Sequence, residues 1–206
     1  FRVPSKSEII EAKKAVDYKK VSVNGNIVYT GSALIDAGGI AKGYLSDIIA
    51  SEIRNKKIKS AVMSLGGNIY CVGKRPDGQN WKIGIKDPQN PDSSIGYVNV
   101  SDTAVVTSGT YERSFTENGI FYHHIINPYT GFPADSGLSS VTVICKSGAR
   151  ADALSTAFFV LGRDESMKIK EEDVEIIFIT DNNEIYATEN VTLHTDKKVN
   201  ILLNAK

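Results

Sequence analysis

Four short stretches of this chain carry residue types and spacings that suit chemistry. In Ile35-Asp36-Ala37-Gly38-Gly39-Ile40-Ala41-Lys42-Gly43, paired glycines precede a helical pattern. Glycines let backbone approach a ligand closely, first-turn amides offer donors to an anion, and Lys42 adds a full positive charge. The same glycines equally serve a tight turn into a helix. Neither the Gly-Lys-Ser/Thr ending of an NTPase phosphate loop nor Gly-x-Gly-x-x-Gly is present. In Ala151-Asp152-Ala153-Leu154-Ser155-Thr156, a carboxylate and a hydroxyl four residues apart share one helical face. Both are oxygen donors for a hard cation such as Mg2+, which needs further oxygens to complete its octahedron. Taken alone, such an Asp also serves as a partner for the helix dipole.

His123-His124 stand in an apolar strand pattern that ends at Asn127-Pro128. Alternation sends the two imidazoles to opposite faces, so one pocket can hold only one of them. The fourth stretch, Thr107-Ser108-Gly109-Thr110-Tyr111-Glu112-Arg113, is a hydroxyl-rich strand end that reads equally well as a capped turn. No Gly-x-Ser-x-Gly elbow occurs, and Cys71 has no histidine near it in sequence, so a hydrolase reading lacks support.

These groups need elements to hold them. Ser5 and Glu8 have the spacing of a capping box for a short first helix. Asn24-Gly25 predicts a hairpin between Tyr18–Val23 and Ile27–Thr30. Ile40, Tyr44, Ile48, Ile49 and Ile53 recur as the apolar face of a helix from Ile40 to about Asn55. Strands are expected at 61–65, 69–72, 81–86, 97–100, 104–107, 120–126, 141–145, 176–180 and 184–187. A helix is expected over 148–161, with a short charged helix after it. The expectation is one α+β domain over residues 1–206, with antiparallel sheets, packed helices and pseudo-duplicated α/β layers.

Composition narrows the classes. The chain has 206 residues, 24 Lys/Arg and 24 Asp/Glu, a zero net charge that argues against nucleic-acid binding by counterion release. Residues 1–103 carry 15 basic and 10 acidic side chains, and residues 104–206 carry 9 and 14. This asymmetry fits attraction between two halves of one domain, or a site with a cationic wall and an acidic wall. Ala157–Leu161, the longest nearly pure apolar run, is far short of the roughly 20 residues a membrane span needs. Cys71 and Cys145 lack metal spacing and lie in β-branched runs, as buried structural thiols do. The chain begins Phe1-Arg2-Val3-Pro4, and a start without an initiator Met or signal-peptide pattern leads to the expectation of a processed or truncated product.

Five motifs in order, Asp36-Ala-Gly-Gly-Ile-Ala-Lys42-Gly, Ser64-Leu-Gly-Gly-Asn68, Thr107-Ser-Gly-Thr-Tyr-Glu-Arg113, His124-Ile-Ile-Asn-Pro-Tyr-Thr-Gly131 and Ala151-Asp-Ala-Leu-Ser-Thr156, strongly resemble the ApbE-type family of FAD:protein FMN transferases. The resemblance runs from about Ile35 to the C-terminal region. It implies an ApbE-like fold, and an enzyme that uses Mg2+ and FAD to attach FMN through a phosphoester to a Thr or Ser hydroxyl of a target protein, releasing AMP. It implies a metal held by Asp152, Thr156 and the backbone carbonyl of Gly39. Asp36, Lys42, Thr107, Ser108, Gly109 and Ile126 are implied FAD contacts, and His124 the group that acts in transfer.

The implied partner is a flavin-acceptor redox protein with an Asp-Gly-x-x-x-Thr-like motif. The implied setting is extracytoplasmic, at the bacterial periplasm or cell surface, with membrane attachment only through the lipid anchor of a full-length lipoprotein. Asn127 departs from the family's usual Asp. The chain also begins inside the family's length, so it is expected to lack N-terminal FAD contacts and to bind FAD weakly or be inactive if they are truly absent. An FAD pyrophosphatase and a catalytically impaired flavin-binding module are the alternatives. Asp77-Gly78 continues as Gln79-Asn80-Trp81, so self-flavinylation is not expected. His123→Ala is expected to alter neither FAD binding nor transfer.

Overall fold

The computed structural model describes residues 2–203. Ser5 opens α1 (Lys6–Lys13) with the expected reciprocal cap. Its Oγ accepts from Glu8 N–H at 3.3 Å, and the Glu8 carboxylate accepts from Ser5 N–H at 2.7 Å. Gly25, at φ +58°, turns β1 (Ser22–Asn24) into β2 (Ile27–Tyr29). Residues Tyr18–Lys20, expected in that first strand, form a 3-10 turn because the Asp17 carboxylate accepts from Lys19 N–H. Helix α2 (Ala41–Asn55) precedes β3 (Ala61–Leu65), β4 (Asn68–Val72), β5 (Trp81–Asp87), β6 (Asn90–Val100) and β7 (Thr103–Gly109). The hairpin β8 (Ser114–Glu117) and β9 (Ile120–His123) follows, then β10 (Leu138–Cys145), α3 (Gly148–Leu161) and α4 (Arg163–Ile169). The C-terminal part adds β11 (Glu175–Thr180), β12 (Ile185–Thr188), β13 (Leu193–His194) and β14 (Val199–Leu202).

Seven strands form the central sheet, in the order β14-β12-β11-β10-β7-β4-β3. Its pairs are antiparallel, as expected, apart from the outer β12–β14 pair, which is parallel. Both faces of the sheet are buried, which is why Val141–Cys145 and Ile176–Ile179 read as nearly continuous apolar runs. On one face Val141, Val143, Ile176 and Phe178 pack against Ala151, Phe158 and Phe159 of α3 and Ala50 of α2. On the other, Cys71, Val105, Ile177 and Ile179 meet Ile83, Ile85, Ile95 and Val98 of the small β13-β6-β5 sheet. The result is an α+β fold of three layers: helices, large sheet, small sheet. Each fully buried Phe or Ile of these layers contributes about 1.5–3 kcal/mol relative to exposure.

Alternation along β4 and β10 puts Cys71 on the small-sheet side and Cys145 on the helix side. Both thiols are free and buried, as expected. Burial pushes the Cys71 thiol up to about 12, and the Cys145 thiol also upward. Among the described residues no helix is long and apolar enough to cross a membrane.

Helix α2 corrects the periodicity reading. Its buried residues are Gly43, Ser46 and Ala50, while Tyr44, Leu45 and Ile48 are exposed. The small face is inside because α2 crosses α3 at very short range. A methyl at Gly43 would overlap the Gly148 carbonyl and stand 2.6 Å from Asp152 Cβ.

Candidate active site

One wall of the site is helical. The Asp36 carboxylate accepts from Gly38 N–H at 2.7 Å, which curls residues 36–40 into the first turn of α2. That turn lies over α3: a Cβ on Gly39 would be 3.8 Å from Thr156 Oγ1. Asp47, in the middle of α2, caps α3, accepting from Gly148 N–H at 2.6 Å and from Ala149 N–H and Ser147 Oγ at 3.0 Å. The two helices are therefore locked in register, and Asp152, four residues beyond Gly148, is delivered beneath the start of α2. Gly43 N–H donates to Asp152 Oδ2 at 2.9 Å. The Asp152 side chain is 4% exposed and makes no ion pair among the described residues.

The other wall is built from strand ends. Strand β7 brings Thr107, Ser108 and Gly109 to the site, with Tyr111 folded over Gly109. Strand β9 stops at His123, three residues short of the expected end, and Ile126 makes only an isolated bridge to Pro133. His124 is tied by its N–H to Arg113 O at 3.0 Å. Below it, Asn127 Oδ1 accepts from Tyr129 N–H at 2.9 Å and from Thr130 N–H at 3.4 Å. These contacts use only the acceptor oxygen of Asn127, so an Asp carboxylate could make the same turn. Helix α1 braces the same loop, with Lys13 Nζ on Tyr129 O and Ile9 against Gly131.

Between the walls lies a cleft of about 610 Å³. All ten residues singled out in the sequence line it: Asp36, Gly39, Lys42, Thr107, Ser108, Gly109, His124, Ile126, Asp152 and Thr156. Gly66, Glu112 and Arg113 join them. Sequence reasoning assigned these three no role, although each belongs to a motif quoted above. The Lys42 and Arg113 cations make no ion pair among the described residues, whereas Glu112 is met by Lys86 at 3.6 Å. The charge walls do not follow the two halves of the chain: Asp36 is acidic in the basic half, and Arg113 basic in the acidic half.

Although His124 stands exposed at the cleft mouth, partial desolvation of its ring by the surrounding walls chiefly holds the imidazole below its ordinary pKa, and the Arg113 and Lys42 cations add to this. A hydrogen bond with the Arg113 backbone and the charge of Glu112 oppose it. The ring is thus neutral, and able to accept a proton, through the neutral pH range. His123 faces the core, as alternation demands. Its Nε2 is 3.1 Å from Ala134 O, Ile125 N–H donates to its Nδ1 at 3.3 Å, and its ring meets Phe159 edge-on. Truncation of His123 would remove the acceptor of Ile125 N–H, next to His124, and the ring's contact with Ala134 O.

A family model for the ApbE family matches residues 1–178. The chain belongs to the ApbE family. Among curated ApbE relatives, it is 34% identical to the FAD:protein FMN transferase of Treponema pallidum, over 92% of this chain and 58% of that protein. It is 38% identical to that of Klebsiella pneumoniae, over 73% of this chain and 47% of that one. Among solved structures, the ApbE protein of Thermotoga maritima superposes with a TM-score of 0.84 at 36% identity, over 92% of this chain and 63% of that chain. The flavin transferase ApbE of Vibrio cholerae gives 0.79 at 29% identity, over 91% and 62%. The chain thus spans about half to three-fifths of the length of these ApbE proteins.

The donor set in this ApbE cleft suits a hard divalent cation. Asp152 is a buried carboxylate with Oδ2 held and, among the described residues, no hydrogen bond to Oδ1, beside the Thr156 hydroxyl and the bare Gly39 backbone. A buried carboxylate without a counter-charge is costly, and a cation relieves it. Among the described residues no three His, Cys, Asp or Glu side chains group to hold a metal, so the soft-metal and zinc patterns are not met.

Proposed function

We propose that residues 1–206 form a single ApbE-like flavin transferase domain that moves FMN from FAD to a Thr or Ser hydroxyl of a target protein and releases AMP. The observation that carries this reading is the meeting, in one cleft, of a buried carboxylate and two cations, none of which has an ion-pair partner among the described residues, with an imidazole. In this reading Asp152, Thr156 and the Gly39 carbonyl hold Mg2+. When bound, the ion neutralises pyrophosphate charge and stabilises the departing phosphate.

The chain's own groups do the rest. Lys42 and Arg113 supply positive charge for the pyrophosphate, and the Thr107–Gly109 strand end and Ile126 flank the dinucleotide. The acceptor hydroxyl gives its proton to the His124 ring as its oxygen bonds to the FMN phosphorus. The bond from that phosphorus to the bridging oxygen breaks, and AMP leaves with that oxygen. The acceptor is a redox protein with an Asp-Gly-x-x-x-Thr-like segment, in an extracytoplasmic setting where the full-length protein is lipid-anchored. This last part rests on the family resemblance alone.

The test is incubation with FAD, Mg2+ and such an acceptor, read by mass spectrometry and AMP release. FMN covalently attached to the acceptor is expected, and Asp152→Ala should cut AMP release by at least ~10²–10³-fold. Free FMN with an unmodified acceptor would instead identify a pyrophosphatase.

A further inference from the structure

The hydroxyls at the base of the cleft form a chain whose proton direction can be derived. Ser155, fully buried on α3, has its Oγ 3.0 Å from Asp152 O. Ser108 Oγ, on β7, lies 2.8 Å from Ser155 Oγ and 3.1 Å from Thr156 Oγ1. Each hydroxyl has one proton, and a carbonyl oxygen can only accept. All three bonds form together in only one way: Ser155 donates to Asp152 O, Ser108 donates to Ser155, and Thr156 donates to Ser108. The competing acceptor for the Thr156 proton, Asp152 O, is 3.5 Å away, at the limit of a hydrogen bond. In this arrangement the Thr156 proton is turned to β7, which leaves oxygen lone pairs for the cleft. With the direction reversed, the Thr156 proton would be free to point at a cation.

We infer that Ser108 is a positioning residue that draws the Thr156 proton away from the cleft and so makes Thr156 an oxygen ligand for a divalent cation. This differs from the FAD contact expected for Ser108, and it rests on the metal-binding reading above. Ser155, hidden from the cleft, completes the device by taking the Ser108 proton. The relay spans two elements, so the ligand property of α3 depends on the strand packed beneath it.

The test is Mn2+ binding to the chain, followed by calorimetry and by Mn2+ electron paramagnetic resonance, with the metal-free melting temperature as a fold control. Ser108→Ala should weaken Mn2+ binding by about 10–100-fold, and Ser108→Thr, which keeps the hydroxyl, should recover most of it. Ser155→Ala should also weaken binding, although it removes nothing that faces the metal. The Ser108→Ala/Thr156→Ala double variant should bind no worse than Thr156→Ala alone, since the two groups act as one. Wild-type affinity in Ser108→Ala and Ser155→Ala, alongside loss in Asp152→Ala, overturns the relay and leaves the metal site standing. Unchanged binding in Asp152→Ala overturns both.

Discussion

The two walls of the cleft are built on opposite principles. The helical wall is closed: Gly43 against Gly148, Asp47 on the α3 amides, and Asp152 buried beneath a backbone N–H. The strand-end wall is open, with His124, Glu112 and Arg113 exposed at a place where regular pairing has stopped. The helical side thus sets position through packing, and the strand-end side carries groups that titrate and meet solvent. A dinucleotide held between them would rest on the first and be acted on from the second.

Measurements on both walls bear on that contrast. His124→Ala, on the open wall, should lower transfer by about 10²–10⁴-fold while leaving FAD binding intact, as stopped-flow and titration would reveal. Equal loss of FAD binding would make His124 part of the seat instead. On the closed wall, Gly43→Ala inserts a methyl into the helix crossing and should destabilise the chain by about 1–3 kcal/mol in urea unfolding. It should also impair metal binding through displacement of Asp152. A wild-type urea midpoint would mean that the crossing is looser than described.

The pH profile gives a subtler effect. Because the folded His124 pKa is depressed, the acid limb of transfer should fall below the ordinary imidazole value of about 6.5. Arg113→Ala removes a cation that lowers this pKa, so the limb should move to higher pH. His123 is likewise held below its ordinary value, chiefly by burial. Its contribution to stability is therefore complete above pH ~6.5 and declines as pH falls below that. The smallest effect belongs to the outward face of α2. Tyr44→Ser should change the stability of this chain by no more than about 0.5 kcal/mol, in contrast to its neighbour Gly43.

Much of this was legible in the sequence. The bounds of α3 are those expected, because a capping Ser147 and a continuous apolar pattern mark them locally. The ten residues that line the cleft were singled out through ordered motifs, although spacing alone left those motifs with ordinary structural explanations. What was not legible depended on distant partners. The α2 periodicity pointed to Tyr44 and Ile48, but the α3 backbone reaches only where α2 carries glycine and other small residues, so size overrode hydrophobicity. Strand β8 takes its identity from pairing with β9, and the parallel β14 from pairing with β12. Arg113 reaches the cleft because its carbonyl accepts from His124 N–H, a contact that residue type does not encode.

The two cysteines have a practical corollary. A sheet's thickness separates them, one against the small sheet and the other against the helices, so air or a disulfide-forming compartment cannot crosslink them within a folded chain. Both remain protonated and shielded, and therefore poor targets for maleimides. A fluorophore attached through a cysteine engineered at the cleft rim would report from that single point.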